Sequence, residues 1–249
     1  MNLTIKEVRD RFNMNTLYTF GCSYTQDFEK LSSNDPQLKY VDQYLDGIIP
    51  PTWSKVLSNL LGYDIVNTAK GGNGNETIFE NVCKSSPNFK KGDMVIIQWT
   101  ENHRFRWPNL EGHWANQLPN HYHGDKIPTL SKRTFEEILF IRDHPLYKEQ
   151  LYNYHILIEQ LALSVGFDIY HWFMGDSIIS ELPIHEKYLL SDKFDKTAPN
   201  YFTYFNKMKA YTVTQETNGV ISDGHYGKIG HEVIGNLFYE HIITPRPII

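Results

Sequence analysis

Four stretches of this chain carry residue types that acyl-transfer chemistry requires. FGCSYT (20–25) sets Ser23 two positions past Gly21, and NTAKGGNGNET (67–77) holds Gly71, Gly72 and Gly74. QWTENHR (98–104) contains Asn102, and SDGHYGKIGH (222–231) contains Asp223, His225 and His231. A serine hydroxyl attacks an acyl carbon when a histidine takes its proton, a carboxylate orients the histidine, and N–H donors stabilise the developing oxyanion. The four stretches between them hold every one of these types. Taken singly, every residue has a plainer reading. Ser23 can cap or turn the chain into a helix, the glycines can serve only a tight turn, Asn102 can cap, and His225 can be structural. His231 is the rival base; it falls inside a predicted helix, where the Gly-His pair can pack the helix on a sheet. His225, just ahead of that helix, is the preferred candidate.

These residues matter only if the fold gathers them, and short apolar runs alternating with helical patterns predict a parallel sheet covered by helices. TLYTFG (16–21), YDIVNTA (63–69), DMVIIQWT (93–100) and FDIYHWF (167–173) read as strands, the third being a near-continuous apolar run. Residues 52–62 read as a helix with Thr52 as N-cap, Gly62 as stop, and Trp53, Val56, Leu57 and Leu60 on one face. Further helices are expected over 75–85, 147–166 and 227–243. In open parallel sheets ligands bind beyond the carboxyl ends of the strands. Ser23, the glycine loop and Asn102 each follow a predicted strand, and the Asp/His pair precedes the last helix.

The 249 residues, 41% hydrophobic, suffice for one domain spanning 1–249, with 103–145 as an insertion or lid and 174–222 as a second irregular stretch. A net charge of −5 leaves no electrostatic footprint for nucleic acid, and no basic run suggests a membrane surface. Cys22 and Cys83 are too few for a disulfide framework and are expected as free thiols. The opening residues, MNLTIKEVRDRFNMN, contain no hydrophobic segment of the secretory kind, and no later segment reaches transmembrane length. A cytoplasmic location, or a place in a larger non-secreted assembly, is the expectation.

The joint order of the four stretches resembles the SGNH, or GDSL-type, hydrolases. FGCSYT resembles the first block, with Cys22 where the family usually has Asp, and NTAKGG resembles the second, where counting from Asn67 selects Gly72. VIIQWTEN resembles the third block, with Thr100 and His103 in place of the usual Gly and Asp. DGHYGKIGH resembles the last, although Asp223 and His225 are closer than the usual Asp-x-x-His and Tyr226 replaces a proline. The resemblance implies a three-layer α/β/α sandwich around a mostly parallel, flavodoxin-like sheet. It implies Ser23 as nucleophile, His225 as base and Asp223 as the orienting acid. The oxyanion site would be made by the N–H groups of Ser23 and Gly72 and the side chain of Asn102, without metal or cofactor.

The expected activity is hydrolysis of O-acyl esters, acetyl groups on carbohydrate included, through an acyl-enzyme. The insertion mixes Trp107, Trp114, Tyr, His and Arg, which suits stacking on sugar rings equally with anchoring a long loop. A lipase or thioesterase with the same site, and a binding module that keeps the fold without catalysis, are the alternatives. His103, His113, His121 and His123 raise a zinc question, but no Cys or carboxylate stands at ligand spacing. GGNGN lacks the lysine of a phosphate-binding P-loop.

Overall fold

The structure, a computed structural model, describes residues 15–23, 25–31, 49, 51–100, 104–108, 114–117, 131–142, 145–173 and 228–243. In chain order the strands are β1 (Thr16–Phe20), β2 (Asp64–Asn67), β3 (Met94–Trp99), β4 (Phe105–Pro108), β5 (Trp114–Gln117) and β6 (Asp168–Phe173). The α-helices are α1 (Trp53–Leu61), α2 (Asn75–Ser85), α3 (Lys132–Arg142), α4 (Pro145–Val165) and α5 (Lys228–Ile243).

Strands β2, β1, β3 and β6 lie side by side in that order, all parallel. Side chains alternate across a strand, so each face of the sheet collects every second residue. Tyr18, Phe20, Val95, Ile97, Trp99 and Ile169 pack against α2 and α4 through Ile78, Val82, Leu151 and Ile158. Leu17, Met94, Ile96 and Trp172 pack on the other side against α1 and α5 through Trp53, Leu57, Ile234 and Phe238. Helices on both faces of a parallel sheet make the three-layer α/β/α sandwich expected from the sequence.

Local signals set the element ends. The Thr52 hydroxyl accepts the Lys55 N–H at 3.4 Å, and Gly62 closes α1 in the left-handed region at φ 67°. One expectation fails here: Leu60 is 40% exposed, while Ser54 and Ser58 are buried. The buried stripe of α1 runs through Trp53, Ser54, Leu57 and Ser58, so its centre is shifted toward the serines and Leu60 falls at its exposed edge. At the amino end of the sheet, the Asp93 carboxylate accepts the Thr16 N–H at 2.8 Å and the Lys90 N–H at 2.9 Å, pinning β1 to β3.

The segment expected as an irregular insertion contains a two-stranded antiparallel pair, β4 with β5, in which Phe105 faces Gln117 and Pro108 faces Trp114. Phe105 packs on Phe135 of α3, with Trp107 and Ile138 against them. Arg106 pairs with Glu80 of α2, and Lys84 reaches the same carboxylate at 2.6 Å. Lys84, with Arg106 beside it, holds the Glu80 carboxyl below its ordinary range. Both cysteines are free thiols, Cys22 buried and Cys83 exposed. Among the described residues no helix is long and apolar enough to cross a membrane.

Candidate active site

Register decides where the loops emerge. Thr19 of β1 pairs with Asn67 of β2, and Phe20 pairs with Ile97 of β3, so three strands end at one edge of the sheet. The chain beyond β1 turns at once: the Cys22 carbonyl accepts the N–H groups of Thr25 and Gln26, both at 3.0 Å. Cys22 thus opens the turn, and the short 3-10 helix that follows, Phe28–Lys30, is capped by Asp27 and not by Ser23. Ser23 is the first residue inside the turn, where a backbone N–H has no partner within the turn itself. Ser23 is half-buried. Among the described residues no hydrogen-bond partner meets its hydroxyl or its N–H.

Beyond β2 the chain makes a second turn, closed by the Asn73 N–H on the Lys70 carbonyl at 3.2 Å. Gly72 occupies its third position at φ 78°, the left-handed conformation that a type II turn requires there and that glycine adopts at least cost. Among the described residues, a Cβ added to Gly72 would meet nothing within 4 Å. Among the described residues its N–H also has no partner.

Side-chain amides stitch the two turns together. Asn67 donates to the Thr25 carbonyl at 2.6 Å and to the Ser54 hydroxyl at 3.1 Å, while its own oxygen accepts the Ala69 N–H at 2.9 Å. Asn73 donates to the Gly21 carbonyl at 3.0 Å, which also accepts the Lys70 N–H at 3.3 Å. The Gln26 side chain accepts the N–H of Gly71. Bonds of this kind, buried and mutually satisfied, rigidify the backbone they connect. The loops of Ser23 and Gly72 are thereby joined, with the N–H groups of those two residues left over among the described residues.

Two more amides extend the network toward β3. Gln98, fully buried in that strand, accepts the Cys22 N–H at 3.2 Å and the Thr25 hydroxyl at 2.7 Å. Asn75 clamps Thr100 from both sides, accepting its N–H at 2.8 Å and donating to its carbonyl at 2.9 Å. This fixes the chain two residues before Asn102. Asn102, Asp223 and His225 themselves lie outside the described residues, as do His103, His113, His121 and His123. Of the expected oxyanion donors, Ser23 and Gly72 are therefore the ones whose surroundings are defined.

His231 is placed differently. It is 1% exposed within α5, and its Nδ1 accepts the Trp53 N–H at 3.2 Å. That bond satisfies one of the orphan donors at the amino end of α1 and fixes the neutral imidazole with its proton on Nε2. Next to it, a Cβ on Gly235 would stand 2.7 Å from Val56, so α1 and α5 cross at close quarters. His231 and Gly235 thus seat α5 against α1.

Gln26, Asn73, Asn75 and Gln98 were not among the residues singled out from sequence. For Gln98 a signal existed, since it is the one polar side chain in the buried run MVIIQW. A second buried polar contact lies on the opposite face of the sheet, between β3 and β6: Trp99 donates its indole N–H to His171 Nδ1 at 3.0 Å. His155 shares its Nδ1 proton with the Leu151 carbonyl at 2.8 Å and lies with its ring centroid 4.3 Å from that of His171. Burial lowers the pKa of His155 to about 4. Burial, and then the neighbouring His155, hold His171 well below the ordinary range. Both are neutral packing groups at neutral pH.

No family model matches this chain, and no curated protein matches it. Among solved structures it is similar to the crystal structure of protein YXIM from Bacillus subtilis at 12% identity and a TM-score of 0.45, covering 92% of this chain. The chain spans 56% of that protein's length. It is also similar, at 13% identity and a TM-score of 0.36, to a G-D-S-L family protein of Desulfitobacterium hafniense named as lipolytic, covering 91% of this chain and 99% of the other.

Proposed function

We propose that the chain is a serine ester hydrolase of the SGNH type that cleaves O-acyl esters, acetyl groups on carbohydrate among them. One observation carries the reading. Ser23 sits inside a turn whose flanks are bonded to β3 and to the glycine loop, while its own hydroxyl and N–H are left without partners among the described residues. The N–H of Gly72, at a turn where no described residue would meet an added Cβ within 4 Å, supplies a second donor of the kind an oxyanion needs.

In this reading Ser23 Oγ attacks the ester carbonyl carbon as His225 Nε2 removes its proton. The oxyanion is held by the N–H groups of Ser23 and Gly72 and by the Asn102 amide. Collapse expels the alcohol, which takes its proton from His225, and leaves Ser23 acylated. A water then gives its proton to His225 and attacks the acyl-enzyme; the acid departs as Ser23 recovers its proton. Asp223 orients His225 through Nδ1. No step calls on a metal or cofactor.

The test is hydrolysis of p-nitrophenyl acetate by the wild-type protein and by Ser23→Ala. The reading expects turnover that the substitution abolishes. It also expects acetyl to be preferred over octanoyl, whereas the opposite order would favour a lipase or thioesterase. Equal rates for wild type and variant would remove Ser23 from the chemistry.

A further inference from the structure

Gln98 sits directly beneath the turn that carries Ser23. Its Oε1 accepts the Cys22 N–H at 3.2 Å and the Thr25 hydroxyl at 2.7 Å, one residue before Ser23 and two after it. The oxygen assignment follows from the Cys22 backbone, which can only donate. Gly21 makes this approach possible: a Cβ there would stand 2.6 Å from Gln98 Oε1 and 2.8 Å from its Cβ. A buried amide in a parallel strand costs free energy unless its bonds are needed, and here they run to both flanks of one candidate nucleophile.

We infer that Gln98 is a positioning residue for Ser23, holding the turn so that the serine hydroxyl and N–H keep a productive direction. The inference rests on the proposed serine chemistry. Gln98 acts through the turn and touches no substrate. Small displacements of a nucleophile cost large factors in rate even when binding is kept. Loss of Gln98 should therefore depress the acylation step and leave KM nearly unchanged.

Three variants test this. Gln98→Met keeps the volume but offers the Cys22 N–H no acceptor; Gln98→Glu keeps the oxygen; Thr25→Val removes one donor while leaving β3 intact. The rate of phosphonylation by a fluorophosphonate and the kcat and KM for p-nitrophenyl acetate are measured on protein shown to be folded by its melting transition. We expect Gln98→Met to label at least tenfold more slowly with KM within twofold, Gln98→Glu to recover part of the rate, and Thr25→Val to slow labelling severalfold. In the double variant Gln98→Met/Thr25→Val, the Thr25 effect should vanish, since the two residues share one bond. Should Gln98→Met fail to fold, Thr25→Val and Gln98→Glu carry the comparison. Folded variants that label and turn over at the wild-type rate would overturn the inference while leaving the serine reading intact. Wild-type protein that neither labels nor hydrolyses would overturn both.

Discussion

His231 Nδ1 accepts the backbone N–H of Trp53 at 3.2 Å, joining α5 to α1. The histidine that rivals His225 as base is thus committed to a helix terminus. Replacing it by Phe leaves that N–H buried without an acceptor, which costs about 1–3 kcal/mol. Denaturant titration of His231→Phe should show that loss, while kcat of the folded protein stays near wild type. A kcat collapse with unchanged stability would reinstate His231 as a base.

Gly21 is a second point where packing and chemistry meet. In Gly21→Ala the new methyl would stand 2.6 Å from Gln98 Oε1, and overpacking of this kind costs about 1–3 kcal/mol. Because the strain falls on the turn before Ser23, activity should drop further than stability alone explains. Parallel measurement of Tm and kcat checks this; a drop in Tm with full kcat would show that the turn tolerates the shift.

The buried pair His155 and His171 makes stability depend on pH. Both are held neutral in the fold, with His155 down to about 4 against an ordinary 6.5, so the unfolded chain binds more protons below that ordinary value. Stability from these groups is complete above about pH 6.5 and falls as pH drops toward 4, by about 3 kcal/mol for His155 alone. Denaturant midpoints at pH 7, 5.5 and 4.5 measure the slope. His155→Leu should flatten it; an unchanged slope would place the effect elsewhere.

The residues assigned to proton transfer should separate by magnitude. His225→Ala should lose nearly all activity, and Asp223→Ala should lose less, since it removes orientation and not the base itself. Asn102→Ala should lower kcat by roughly 10²–10³ with little change in KM, as expected for a donor used mainly in the transition state. Steady-state kinetics on the three variants checks the order. An Asn102→Ala effect confined to KM would make it a ground-state binding residue.

Much of the fold was legible because apolar runs and helix signals are local. The four parallel strands and the helix over Asn75–Ser85 follow the sequence pattern closely. Leu60 misled because one face of α1 is completed by buried serines, which hydropathy does not mark. The pair β4 and β5 went unseen because four-residue strands carry too few alternations to stand out. At the site, Ser23 and Gly72 could be chosen from their order, but the amides that tie their loops could not. Gln98 and Cys22 are 76 positions apart, and only the strand register makes them neighbours. A glutamine within an apolar strand is the trace such a bond leaves in the sequence.

The most direct test is to treat the folded protein with a fluorophosphonate and locate the adduct by peptide mass spectrometry. The account predicts one adduct, on Ser23, absent from Ser23→Ala and strongly slowed in His225→Ala. Phosphonylation of another residue, or none at concentrations that modify serine hydrolases, would contradict it.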